Sequence, residues 1–131
     1  MQRHCENGEK VAAYLSKHLK VKTVYFPGLE THPFHEIAKK QMSAFGGMVS
    51  FDFVSGRKQD AIAFLEKLQI FILAESLGGV ESLANHPALM THASIPEQKR
   101  KAVGITDDLV RLSVGVEDIE DLLHDLQQAL E

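Results

Sequence analysis

Asp108-Leu109-Val110-Arg111-Leu112-Ser113-Val114 is the stretch on which the fold turns. Its residues alternate: Val110, Leu112 and Val114 point one way, Leu109, Arg111 and Ser113 the other, the period of two expected of a half-buried β-strand. A strand needs partners, and three more candidates lie upstream. Val21 to Phe26 is rich in β-branched and aromatic residues and is stopped by Pro27-Gly28. Met48 to Phe53 sets Val49, Phe51 and Phe53 against Ser50 and Asp52. Ile70 to Ala74 is continuously apolar and short, the pattern of a strand covered on both faces.

Between these strands the apolar period becomes helical. Val11, Tyr14, Leu15, His18 and Leu19 predict an amphipathic helix over the first twenty residues. Pro33 suits the first turn of a second helix, striped by Phe34, Ile37 and Ala38, extended towards Gln41-Met42 and ended by Gly46-Gly47. Arg57 to Leu68 is helical through Ala61, Phe64, Leu65 and Leu68. Glu75 to Ser94, with a Gly-Gly pair, a proline and two histidines, is expected to be irregular. Pro96 to Val103 predicts a brief helix closed by Gly104. The last helix starts near Glu117-Asp118, where acids favour a helix N-terminus, and turns Ile119, Leu122, Leu123, Leu126 and Leu130 inward. Residues 1–131 are therefore expected to form a single domain of α/β type, with α+β left open. Its frame is one roughly four-stranded sheet with helices mainly on one face.

Composition narrows the function. At 131 residues, 44% apolar and 24% charged, the chain can close one ordinary globular core. Fourteen Lys and Arg against 18 Asp and Glu give a net charge of −4, which argues against nucleic acid, since phosphate binding needs a clustered basic face. The densest basic run, Gln98-Lys99-Arg100-Lys101, is expected to be a solvated helix face. No apolar run approaches the roughly 18 to 20 residues that span a bilayer, and Met1 to Asn7 lacks the apolar stretch of a signal peptide. The only cysteine, Cys5, has no internal disulfide partner and suits a half-buried helix position better than a nucleophile; a cytoplasmic setting is expected.

Arg111 is the most informative residue chemically. An arginine inside so apolar a strand is poorly solvated unless its fork meets an anion, and a carboxylate satisfies it best through two parallel hydrogen bonds. The plainer alternative, slightly favoured on position alone, is an ion pair with an internal acid. Glu75-Ser76-Leu77-Gly78-Gly79 follows the apolar strand, and glycine lets backbone N–H groups approach a ligand closely. Taken alone, it is a loop with a turn. His32 with His35, and His86 with His92, raise a metal site. No HExxH, paired cysteine or carboxylate–histidine spacing accompanies them, so surface or capping roles are favoured and no metal is expected. In Met90-Thr91-His92-Ala93-Ser94, capping of the following helix is the safer expectation.

Several motifs together resemble the Cys/Met-metabolism pyridoxal-phosphate enzymes of the cystathionine γ-lyase and γ-synthase type. They are Ala74 to Leu83 (AESLGGVESL), Met90 to Ser94 (MTHAS), Gly104 to Asp107 (GITD) and Leu109 to Glu117 (LVRLSVGVE). Upstream, Val24 to Leu29, His32-Pro33 and Phe45 to Phe51 also fit, so the resemblance runs over essentially the whole chain. It implies the aminotransferase-like fold-type-I architecture, with this chain as the small C-terminal domain.

On the same resemblance Arg111 grips the substrate α-carboxylate, and Ser76 helps hold it. Leu77 and Thr91 belong to active-site loops, and Glu75 lies near the distal end of the substrate. Glu75 tilts the expectation towards cystathionine γ-lyase or γ-synthase, with an O-acetylhomoserine sulfhydrylase behind. The Schiff-base lysine motif, the pyridine-nitrogen aspartate and the ring-stacking tyrosine are absent, so none of the catalytic groups is expected here. The parent would carry pyridoxal 5′-phosphate, act on an amino-acid substrate and assemble as a homo-oligomer, a tetramer. The fragment alone, lacking the large domain, is expected to be inactive, to bind the cofactor weakly and to self-associate through bared apolar surface. The alternative is a non-catalytic binding or assembly module, with Arg111 closed on an internal acid.

Overall fold

The computed structural model describes residues 1–131. Ten elements follow in order: α1 (Gln2–Ser16), β1 (Val21–Tyr25), α2 (His35–Gln41), β2 (Met48–Phe53), α3 (Lys58–Lys67), β3 (Ile72–Leu73), β4 (Leu83–Asn85), α4 (Glu97–Ala102), β5 (Val110–Ser113) and α5 (Ile119–Leu130). Five strands, not four, form one mixed sheet in the order β1-β2-β5-β4-β3. Only the β3–β4 pair is parallel. The extra strand is β4, Leu83-Ala84-Asn85, inside the segment expected to be irregular. Three residues carry too little alternation to be seen in sequence.

The alternation in β5 and β2 sorts the sheet into two faces. Val49 pairs with Leu112 and Phe51 with Val110 across the β2–β5 ladder, and all four are fully buried. Against them α1 places Val11, Ala12 and Leu15, α3 places Ala61 and Phe64, and α5 places Leu122 and Leu126, within one core of 21 buried residues. Phe64 meets Phe51 edge to face at 5.3 Å, a favoured aromatic arrangement. Gly8 is needed where α1 crosses the turn after α2, since a Cβ there would lie 2.6 Å from the Gly46 carbonyl oxygen.

Polar groups fix how the elements join. Asp125, on the inward stripe of α5, accepts from the backbone N–H groups of Gln69, Ile70 and Phe71 at 2.8, 2.8 and 3.0 Å. Asp108 accepts from Phe53 N–H, and Asp118 caps α5 by accepting from Glu120 N–H.

Five sequence expectations fail here. The Ile70–Ala74 run is not a doubly covered strand. Its core, β3, is a sheet edge with Ile72 and Leu73 both more than half exposed. Helix α2 buries none of its residues, and Phe34 and Ile37 face outward. Helix α1 ends at Ser16, so Leu19 lies beyond it and is exposed, while Cys5, 8% exposed, is buried rather than half-buried. The basic run is only partly a solvated face. Lys101 pairs with Glu97, but Arg100 folds back to donate to Ile95 O at 2.6 Å.

Candidate functional site

Arg111 stands on the central strand of the sheet, on the face opposite the helices, flanked by Ser50 on β2 and Asn85 on β4. It is half-buried, and burial lowers its pKa from the ordinary arginine value without threatening its charge. The chain's ion pairs are Arg57–Asp60, Arg100–Asp107 and Lys101–Glu97, so Arg111 has no carboxylate within salt-bridge reach. Its protein partners are neutral. Nη2 donates to the Glu75 carbonyl at 3.3 Å. A guanidinium offers only donors, so the Asn85 amide turns its oxygen towards it and accepts from Nη2 at 2.5 Å and Nε at 3.3 Å. The internal ion pair favoured on position alone is therefore absent.

The segment after β3 is brought to the same place. Arg111 reaches Glu75 through that carbonyl, and Gly78 N–H donates to the hydroxyl of Ser113, two residues along β5 from Arg111, at 2.8 Å. Gly78 has φ +77, a left-handed turn that an L side chain resists, and this turn aims its N–H at the strand. Behind it, Glu117 accepts from both the N–H (2.6 Å) and the hydroxyl (2.8 Å) of Ser82. Ser82 Oγ in turn accepts from Gly115 N–H at 2.8 Å. The ends of the loop are thus tied to the arginine strand, while Glu75, Ser76 and Leu77 between them remain exposed.

Thr91 is placed differently. It follows β4, is half-buried, and its hydroxyl meets the ring nitrogen of His92 at 2.8 Å. No hydrogen bond joins it to Arg111 or to residues 75–79. It caps nothing either, because α4 has no side-chain cap. The histidines do not converge: no group of three His, Cys, Asp or Glu side chains could hold a metal. Of the surface and capping roles expected for the histidines, His86 takes the second. It is buried, with Nε2 on the Asp107 carbonyl (2.5 Å) and Nδ1 accepting from Leu89 N–H (3.2 Å), which makes it a structural clamp.

A cleft of about 540 Å³ opens elsewhere, lined by residues that include Leu19, Lys20, Arg57, Lys67 and Leu130, and shares nothing with Arg111. The surface around Arg111 is open and partly apolar: Ile72, on the same sheet face by register, and Leu77 and Val80 of the loop are more than half exposed.

The family model for Cys/Met metabolism PLP-dependent enzymes matches residues 1–131. The chain belongs to that family. Among its relatives, the cystathionine beta-lyase of Coxiella burnetii is 58% identical over 130 residues, covering 99% of this chain and 33% of that protein. The cystathionine gamma-lyase of Bacillus subtilis (strain 168) is 56% identical over 126 residues, covering 96% and 33%. The crystal structure of metB from Corynebacterium glutamicum superposes with a TM-score of 0.89 at 51% identity, covering 99% of this chain and 33% of that one. The chain spans about a third of the length of the family members it matches. These matches fix the family and the share; the C-terminal placement expected from the motifs does not come out of them.

The residues present do not by themselves fit the family's cofactor. A Schiff-base lysine needs a sheltered amine, and nine of the ten lysines, all but half-buried Lys58, are exposed. None hydrogen-bonds to Arg111 or its loop. Sequence reasoning missed Asn85 and Glu117, which hold the arginine and the loop ends. A polar residue within a stretch as apolar as Leu83-Ala84-Asn85 was the available signal for Asn85.

Proposed function

We propose that this chain is the substrate-carboxylate-binding part of a pyridoxal-phosphate enzyme acting on cystathionine or its precursors. The observation that carries the proposal is Arg111: a cation on a central strand, without an internal carboxylate, beside a glycine turn and open to solvent. In the proposed site Arg111 takes the α-carboxylate, Ser76 completes that grip from the exposed loop, and Leu77 and Thr91 line the approach. Glu75 accepts from the distal ammonium of the substrate. The cofactor, when bound, supplies the electron sink for carbanion chemistry, and the part of the parent outside residues 1–131 supplies the lysine that holds it. Here the chain binds and orients. It is proposed to be inactive alone and completed by the large domain and by further copies of the parent; the exposed Ile72, Leu77 and Val80 beside the site support a covering partner. On the resemblance, the lysine-bearing part stands upstream, which makes this third the C-terminal one. A reading frame continuing past Glu131 into the lysine motif would reverse that order.

The relatives divide between β-lyases and γ-lyases, and Glu75 supports the γ reading. The test is product analysis of the full-length parent. Given cystathionine, a γ-lyase releases cysteine, ammonia and 2-oxobutanoate, whereas a β-lyase releases homocysteine, ammonia and pyruvate. A γ-synthase instead joins an activated homoserine ester to cysteine. Either γ outcome, weakened in Glu75→Gln by about fivefold or more in kcat/KM, is expected. Pyruvate and homocysteine as the products would overturn the γ assignment.

A further inference from the structure

The geometry points to Asn85 as a positioning residue that fixes the fork of Arg111 and presents Nη1 to the ligand carboxylate. Asn85 is 1% exposed and lies directly opposite Arg111 across the β4–β5 ladder. A buried amide needs partners, and its oxygen finds them on Nε and Nη2 of the guanidinium. The Glu75 carbonyl accepts a further bond from Nη2. Nε and Nη2 are thus taken by the protein, whereas both hydrogens of Nη1 have no protein partner. Because both acceptors are neutral, the fork is oriented without its charge being cancelled. A carboxylate at position 85 would orient it equally well but would itself occupy the cation. Asn85 therefore does two things at once: it removes the rotational freedom that a long arginine side chain would otherwise lose on binding, and it leaves the full charge for the ligand. Ser50, the neighbour on the other side, has no hydrogen bond to the fork, so orientation rests on β4.

This inference rests on Arg111 being the carboxylate receptor, and the experiment separates the two. Asn85→Ala, Asn85→Asp and Arg111→Ala are made in the full-length holoenzyme, and KM and kcat for cystathionine are measured beside thermal melting. Asn85→Ala should raise KM about tenfold, the loss expected when a charge-assisted hydrogen bond disappears, with kcat within about twofold. Asn85→Asp keeps the acceptor and the strand but supplies a competing internal anion, so KM should rise at least as far. If Arg111→Ala raises KM while both Asn85 variants leave it unchanged, the positioning role is wrong and the receptor stands. An unchanged KM in Arg111→Ala overturns both. A lower melting temperature and kcat at constant KM in the Asn85 variants would make the residue merely structural, and if Asn85→Ala does not fold, the Asp variant decides alone.

Discussion

The two faces of one sheet behave as opposites. On the helix side, Val49, Phe51, Val110 and Leu112 are fully buried under α1, α3 and α5. On the other side, the same strands present Ser50 and Arg111, their neighbour β4 adds Asn85, and Ile72, Leu77 and Val80 are exposed nearby. Alternation along the strand lets successive residues serve stability and recognition separately. The helix face holds the chain together, and the open face holds a charge in readiness.

The sharpest way to break this contrast is a pair of neighbours. Leu112→Ala, on the sealed face, should cost about 2–5 kcal/mol by leaving a cavity. Ser50→Ala, on the open face, should change stability by no more than about 0.5 kcal/mol. Denaturant unfolding of the two variants checks the difference; equal costs would mean the open face is packed as tightly as the closed one. Next in size is Asp125→Ala. Its carboxylate satisfies three backbone N–H groups where α5 meets the segment leading to β3, and leaving them unpaired should cost about 3 kcal/mol. Hydrogen exchange at residues 69–71 should accelerate with it, and unchanged protection there would refute the role.

The smallest effect concerns the other edge of the sheet. Tyr25 donates to Asp52 at 3.0 Å, and burial first, then the Asp52 contact, raises its pKa above the ordinary tyrosine value. The folded state thus holds the phenolic proton more tightly than the unfolded chain. That contribution is whole below the unfolded tyrosine value and disappears as pH rises through the folded one. Because Tyr25 is 41% exposed, solvent screening keeps the effect small, and Tyr25→Phe should cost about 1 kcal/mol or less. Urea unfolding should show the variant and the parent converging at alkaline pH; a constant gap across that range would show that the bond contributes nothing through ionisation.

What sequence made legible was governed by period. The alternation of Val110 to Val114 and of Val49 to Phe53 assigned both strands and both faces, and the inward stripe of α5 was visible in Ile119, Leu122 and Leu126. Burial of short apolar runs was not legible, since Ile72 and Leu73 carry the same residues whether an edge is covered or bare. β4 escaped because three residues show no period. At the candidate site, Arg111 announced itself as a charge in an apolar strand, and the turn at Gly78 as a glycine pair. The groups that orient them, Asn85 and Glu117, act through contacts 26 and 35 residues apart in sequence (111 − 85; 117 − 82), which composition cannot reveal.

The receptor role of Arg111 is tested most directly by Arg111→Lys in the full-length holoenzyme. Lysine keeps the charge and gives up the planar fork. kcat/KM for cystathionine should fall by about tenfold or more, the measure of the charge-assisted hydrogen bonding that the oriented Nη1 supplies, while the melting temperature stays within a few degrees. A variant that retains kcat/KM within about twofold would show that no ligand carboxylate uses this guanidinium, and the open face of the sheet would lose its function.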